Sequence, residues 1–151
     1  MAWTRSHKKS SGGGIIPVSL LDYCRIGSGS NRYQSPRDAN NYIEISDKTV
    51  TLKRNGSDPM LWIFSPIMVE TGKNYGFFFD SISNTNGYGY LEKTFDISVN
   101  PIVVAQRFQT VGMSGSNYVI FTAPDDCYVG IALWSGNSND IVVVNPQFYA
   151  F

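Results

Sequence analysis

The stretch Glu70-Thr71-Gly72-Lys73-Asn74-Tyr75-Gly76-Phe77-Phe78-Phe79-Asp80 decides how this chain is read. Thr71-Gly72-Lys73-Asn74 is turn chemistry, because glycine accepts a positive φ and asparagine bonds its own backbone. Tyr75–Ile82 then reads as a strongly apolar strand. Short strands separated by turn residues continue from there to the end of the chain.

Upstream, Tyr42–Ser46 and Thr49–Arg54 both alternate apolar and polar residues across a break at Asp47-Lys48, which predicts a hairpin. Leu61–Ser65 is a continuous apolar run between Pro59 and Pro66, the pattern of a strand buried on both faces. Ile15–Ile26 predicts a first strand region that Pro17 confines to an edge or a strand start. Gly27–Asn41 is a long polar loop.

Downstream, Ser83–Tyr90 reads as a Gly/Asn loop with two tyrosines. Leu91–Val99 reads as a strand with Leu91, Phe95, Ile97 and Val99 inward and Glu92, Thr94, Asp96 and Ser98 outward. Lys93 falls on the inward set with no partner in view. Ile102–Phe108, Tyr118–Thr122, Cys127–Ser135 and Asp140–Asn145 supply further strands, with a loop at Val111–Ser116. The aromatic end at Phe148, Tyr149 and Phe151 is expected to pack. Nine or ten strands with turns every eight to twelve residues and no helix predict an all-β, antiparallel jelly-roll β-sandwich. Residues 17–151 form that domain, preceded by an extended N-terminal segment at residues 1–16.

Composition narrows the function classes. The chain has 151 residues, 42% hydrophobic and 14% aromatic, with only 16% charged. Arg5, Lys8 and Lys9 give residues 1–16 a charge of +3, and the remainder carries −3. A folded body that is slightly acidic argues against nucleic-acid binding through it. No apolar run approaches a membrane span, and Met1–Ser10 lacks the apolar core of a signal peptide, so synthesis in a cytoplasm is expected. His7 is the only histidine, which removes His-based triads and His-rich metal sites. Asp58, Asp125 and Asp126 sit in turns without calcium-loop spacing, and no metal or other cofactor is expected. Cys24 and Cys127 are read as two buried free thiols. With no paired carboxylates singled out, the chain reads as a non-enzyme.

From Ile43 onward the order of cues resembles the small jelly-roll modules carried on the virions of tailed bacteriophages, which are related in fold to carbohydrate-binding modules. The residues concerned are Trp62, Pro66-Ile67, Gly72-Lys73-Asn74-Tyr75, Phe121-Thr122-Ala123-Pro124, Tyr128-Val129-Gly130-Ile131 and Val143-Val144-Asn145, over about the last hundred residues. The resemblance implies a decoration or tail protein of a virion, made in the host cytoplasm, that presents its body to host-surface glycans. In that picture Trp3, Arg5, Lys8 and Lys9 anchor residues 1–16 to other virion proteins. The alternative is a free carbohydrate-binding or adhesin module.

Sugars stack on exposed aromatic rings while amides and carboxylates bond their hydroxyls. Candidates for that chemistry are Tyr88 and Tyr90 with Asn84 and Asn86, and Trp134 with Asn137. An uncharged, aromatic-rich sheet face also points to a homo-oligomer, a trimer among the options.

Overall fold

The computed structural model describes residues 13–20, 24–26, 32–33, 41–54, 60–63, 66–83, 88–94, 96–98, 102–112, 117–135 and 141–151. Among them there is no helix, and the strands run β1 Gly14–Ile16, β2 Cys24–Ile26, β3 Arg32–Tyr33, β4 Asn41–Ser46, β5 Thr49–Arg54, β6 Met60–Ile63, β7 Ile67–Val69, β8 Asn74–Phe78, β9 Ser81–Ile82, β10 Tyr88–Thr94, β11 Ile102–Val103, β12 Gln106–Gly112, β13 Tyr118–Thr122, β14 Cys127–Ser135, β15 Ile141–Val144 and β16 Gln147–Ala150.

Several of these are halves of longer, bent strands. β8 and β9 run antiparallel to β16 and β15 in the same order, and the Asp80 amide bridges the corner to the Val144 carbonyl at 2.9 Å. Asn145 takes the matching corner at φ 50°, a conformation asparagine tolerates better than most residues. One layer of the sandwich is therefore β4-β5-β15-β9 continued by β1-β16-β8-β13. The other is β12-β10-β14-β6-β2, with β7 extending β6 along β14. Every recorded strand pair is antiparallel, and the chain is an antiparallel jelly-roll β-sandwich.

The core lies between the layers. Val50, Leu52, Phe77, Val143 and Phe148 from the first layer meet Val69, Leu91, Val129, Ile131 and Leu133 from the second. Phe77 and Phe148 are fully buried and meet edge to face at 4.5 Å between centroids. Burying side chains of this size is the main stabilising term of such a fold.

The opening stretch behaves as its composition requires. The Lys73 amide donates to the Glu70 carbonyl at 3.1 Å, and Gly72 sits at φ 80° as a type II turn demands. The turn is tied to the other end of β13 by reciprocal bonds: the Gly72 amide to the Ala123 carbonyl and the Ala123 amide to the Lys73 carbonyl, each at 2.9 Å. Tyr75 is buried, and its hydroxyl accepts the Glu70 amide at 3.0 Å.

Some expectations are corrected. The loop read as Ser83–Tyr90 ends sooner, because Tyr88 already pairs with Trp134 and Tyr90 with Ala132. The strand read as Leu91–Val99 ends at Thr94; beyond it Asp96 accepts the Ser98 amide and hydroxyl, a local turn that competes with the ladder. Glu92 does alternate outward from Leu91 and Lys93, yet it is only 1% exposed and is paired with Arg107. Lys93 does point inward and is 9% exposed, and its ammonium is paired with Asp125 from the turn after β13. That partner lies far along the chain, where local alternation gives no hint of it. The loop read as Val111–Ser116 begins later, since Val111 and Gly112 belong to β12. The region read as Ile15–Ile26 holds two separate short strands, β1 and β2. Cys127 is a buried free thiol, and burial pushes its pKa up.

Candidate functional site

The outer face of the first layer carries a continuous aromatic shelf. Strand alternation sends Phe77 and Phe148 inward, so Phe78 and Tyr149 face out. Two cross-strand rows cover the surface: Tyr118, Phe78 and Gln147 in one, and Ile120, Gly76, Tyr149 and Ile15 in the next. Tyr118 is 56% exposed, Ile120 50%, Ile15 65% and the terminal Phe151 55%, well above what a solvated sheet face needs.

Gly76 makes the shelf dense. With no side chain of its own, it lets the Phe78 and Phe151 rings settle over the backbone; their centroids lie 6.3 Å apart. Phe78 also packs against Tyr118 at 5.8 Å and meets Tyr149 edge-on at 5.0 Å. Phe151 is held in place by its amide, which donates to the Asn74 carbonyl at 3.0 Å.

Polar groups border the rings in fixed orientations. The Tyr149 hydroxyl donates to Gln147 Oε1 at 2.8 Å. Asn145 Nδ2 donates to Asp80 Oδ2 at 2.9 Å, and Thr122 Oγ1 donates to Asn74 Oδ1 at 2.7 Å. Phe78, Asp80, Gln147, Tyr149 and Phe151 border an open depression of about 380 Å³. Rings, an amide and a carboxylate around a shallow hollow are the groups that saccharide recognition uses: apolar faces to stack on, and acceptors and donors for hydroxyls.

Of the residues singled out from sequence, Tyr88, Tyr90 and Trp134 lie elsewhere, on β10 and β14 of the other layer. Tyr88 and Trp134 are direct cross-strand partners, so two sets chosen separately meet at the same register position. Tyr90 is half-buried, and the Arg107 guanidinium covers its ring at 3.6 Å from the centroid. Asn84, Asn86 and Asn137 lie outside the described residues, as do Trp3, Arg5, Lys8 and Lys9. Gly14–Ile16, placed in the N-terminal segment from sequence, pairs with β16 as part of the sheet.

Among the described residues there is no group of three or more His, Cys, Asp or Glu that could hold a metal, and no helix long and apolar enough to cross a membrane. Asp126 Oδ1 accepts the Thr71 amide at 2.8 Å and its hydroxyl at 2.9 Å, which holds its carboxyl below the usual range.

No family model matches the chain, and no curated protein is similar to it in sequence. Among solved structures it is similar to the xylan-binding module CBM15, with a TM-score of 0.50 and 9% identity over 93% of this chain and 97% of that one. It is also similar to a low affinity xylan binding module, CBM86, from the gut symbiont Roseburia intestinalis (TM-score 0.49, 11% identity, 93% and 96% covered). A third is the enzymatically active domain of tailspike protein 4 of bacteriophage CBA120 (TM-score 0.46, 14% identity), where 93% of this chain matches 20% of that one. At these identities the likeness to CBM15 establishes the jelly-roll fold.

Proposed function

We propose that this chain is a non-catalytic carbohydrate-binding module that takes neutral glycans on the Phe78–Tyr118–Tyr149–Phe151 shelf. The observation that carries the reading is the shelf itself: exposed and half-exposed rings packed together over Gly76 and bordered by Asp80, Asn145 and Gln147. Rings already packed against one another lose little rotamer freedom on binding. Among the described residues, Asp80 carries the one side-chain carboxylate that lines the hollow, and glycoside hydrolysis uses two such side chains. The fold shared with a xylan-binding module supports the same reading.

Placement on a virion, through Met1–Ile16, is a further step that the resemblance suggested, and most of that segment lies outside the described residues. The free module is the reading we favour, because the fold is shared with a xylan-binding module.

The test is affinity electrophoresis of the whole chain through native gels containing xylan, glucomannan, hydroxyethyl cellulose or laminarin. At least one of these retards the protein, and Tyr118→Ala with Phe151→Ala removes the retardation while the melting curve stays cooperative. Failure of all four to retard the wild type, or unchanged retardation of the double variant, overturns the reading.

A further inference from the structure

One edge of the first layer is β13, which has β8 on one side and, among the described residues, no strand on the other. The Asn117 carbonyl accepts the Phe79 amide at 2.8 Å, and the Ala123 amide donates to the Lys73 carbonyl at 2.9 Å. These bonds lie at the two ends of the β13–β8 ladder and turn the odd-numbered residues toward β8. The amides and carbonyls of Tyr118, Ile120 and Thr122 therefore point out along the open edge. Among the described residues nothing bonds them.

Sheet edges are ordinarily guarded, because a row of unpaired groups recruits any strand it meets. The other long edges of this molecule carry charge: Glu44 on β4 and Arg107 on β12. Among the described residues, β13 is the one edge strand longer than three residues with no charge in it. It has neither proline nor a break in register, and its residues Tyr, Val, Ile, Phe and Thr all favour strands.

We propose that this edge takes β13 of a second copy of the chain, antiparallel, about a twofold axis through Ile120. The strand is complementary to itself in that register. Tyr118 faces Thr122 of the partner subunit and Ile120 faces its own equivalent, so each unpaired residue meets another and can exchange both backbone bonds with it. A slip of one residue would set unpaired groups against residues already bonded to β8. Side chains agree with the same register: the two exposed Ile120 side chains cover each other on the outer face. No charge opposes the approach, since β13 has none and the formal net charge of the chain is zero. A twofold contact closes at two copies, which a heterologous strand addition does not do. The seam is five residues long, roughly 17 Å, and falls at the low end of interface sizes, so the dimer forms and dissociates readily. It joins two shelves into one continuous sheet, whatever those shelves bind.

Sedimentation equilibrium of the full chain over a dilution series is the test. Wild type shows a reversible monomer–dimer equilibrium. Ile120→Lys, at an exposed position, melts cooperatively and raises the dissociation constant by at least about tenfold. Met68→Lys, at an exposed apolar position on β7, leaves it unchanged. Mild oxidation with peptide mapping reads the register. Ile120→Cys links two copies through position 120, where the facing Cα atoms stand about 5.5 Å apart, within disulfide reach. Tyr118→Cys does not, because the two 118 positions lie more than about 10 Å apart along the seam. A wild type that stays monomeric at its highest soluble concentration or assembles as a trimer overturns the inference. So does unchanged association of Ile120→Lys, lost association of Met68→Lys, or linkage through Tyr118→Cys. Retardation in the glycan gels tests the shelf separately, and neither result decides the other.

Discussion

Gly76→Ala is the perturbation that separates binding from folding most cleanly. Gly76 lies in the middle of β8 without a positive φ, so alanine is acceptable to the backbone. A methyl there would stand 2.7 Å from Phe78 Cε2 and 3.1 Å from Phe151 Cε2. Ordinary contact starts at 3.4 Å, so both rings must shift, Phe78 by several tenths of an ångström. Both are partly in solvent and free to rotate away, at about 0.5–1.5 kcal/mol for an off-rotamer position. Alanine restricts the unfolded chain and returns about 0.4–1 kcal/mol. Net stability should therefore change by less than about 1 kcal/mol, or about 2–4 °C in a domain of this size. The stacking surface, by contrast, is broken at its centre. Glycan affinity in the gel assay should fall by about tenfold, equivalent to about 1.4 kcal/mol. Retardation equal to wild type in a cooperatively folded Gly76→Ala protein would refute the shelf argument. A loss of several kcal/mol of stability would refute the claim that the rings are free to move.

Three further outcomes test the frame around the site. Phe148→Ala removes a fully buried ring that packs on Phe77, Tyr75 and Phe121; urea titration should record a loss of about 3–5 kcal/mol. The Asp126 carboxyl is held down by the Thr71 amide and then its hydroxyl. A depressed folded-state pKa stabilises above the ordinary carboxylate range and ceases to as pH falls through the folded value. The difference in urea midpoint between wild type and Asp126→Asn should thus be larger at pH 7 than at pH 3, and a gap that widens on acidification would contradict it. Asn145 turns the corner between β15 and β16 at positive φ, so Asn145→Val should cost at least about 1–2 kcal/mol in a thermal melt while Asn145→Gly costs less.

Much of the sandwich was legible locally. The β4–β5 hairpin shows in the alternation of Ile43 and Ile45 with Glu44, and the turn before β8 in Gly72, because both depend on near neighbours. The shelf was hidden by its own composition. Phe77-Phe78-Phe79 is apolar throughout, so nothing marks Phe78 as the ring that faces water. Tyr118-Val119-Ile120-Phe121 masks its alternation in the same way, although it alternates exposed and buried in the fold. Partners distant in sequence were equally out of reach. Lys93 looks misplaced until Asp125 is beside it, and Glu92 looks like a surface acid until Arg107 is set against it by a register shift. Tyr88 and Trp134 were noticed one by one; only the ladder between β10 and β14 makes them neighbours.

The pairing of β1 with β16 has a mechanical consequence. Gly14 faces Ala150, Ile15 faces Tyr149 and Ile16 faces Phe148, so the two strands begin and finish at the same end of their ladder. Tension applied through residue 14 and residue 151 would open that ladder like a zipper, one bond after another, instead of shearing it all at once. A module anchored at both extremities would yield there first, at low force, and would shed its outermost ribbon while the Phe77–Phe148 contact still holds.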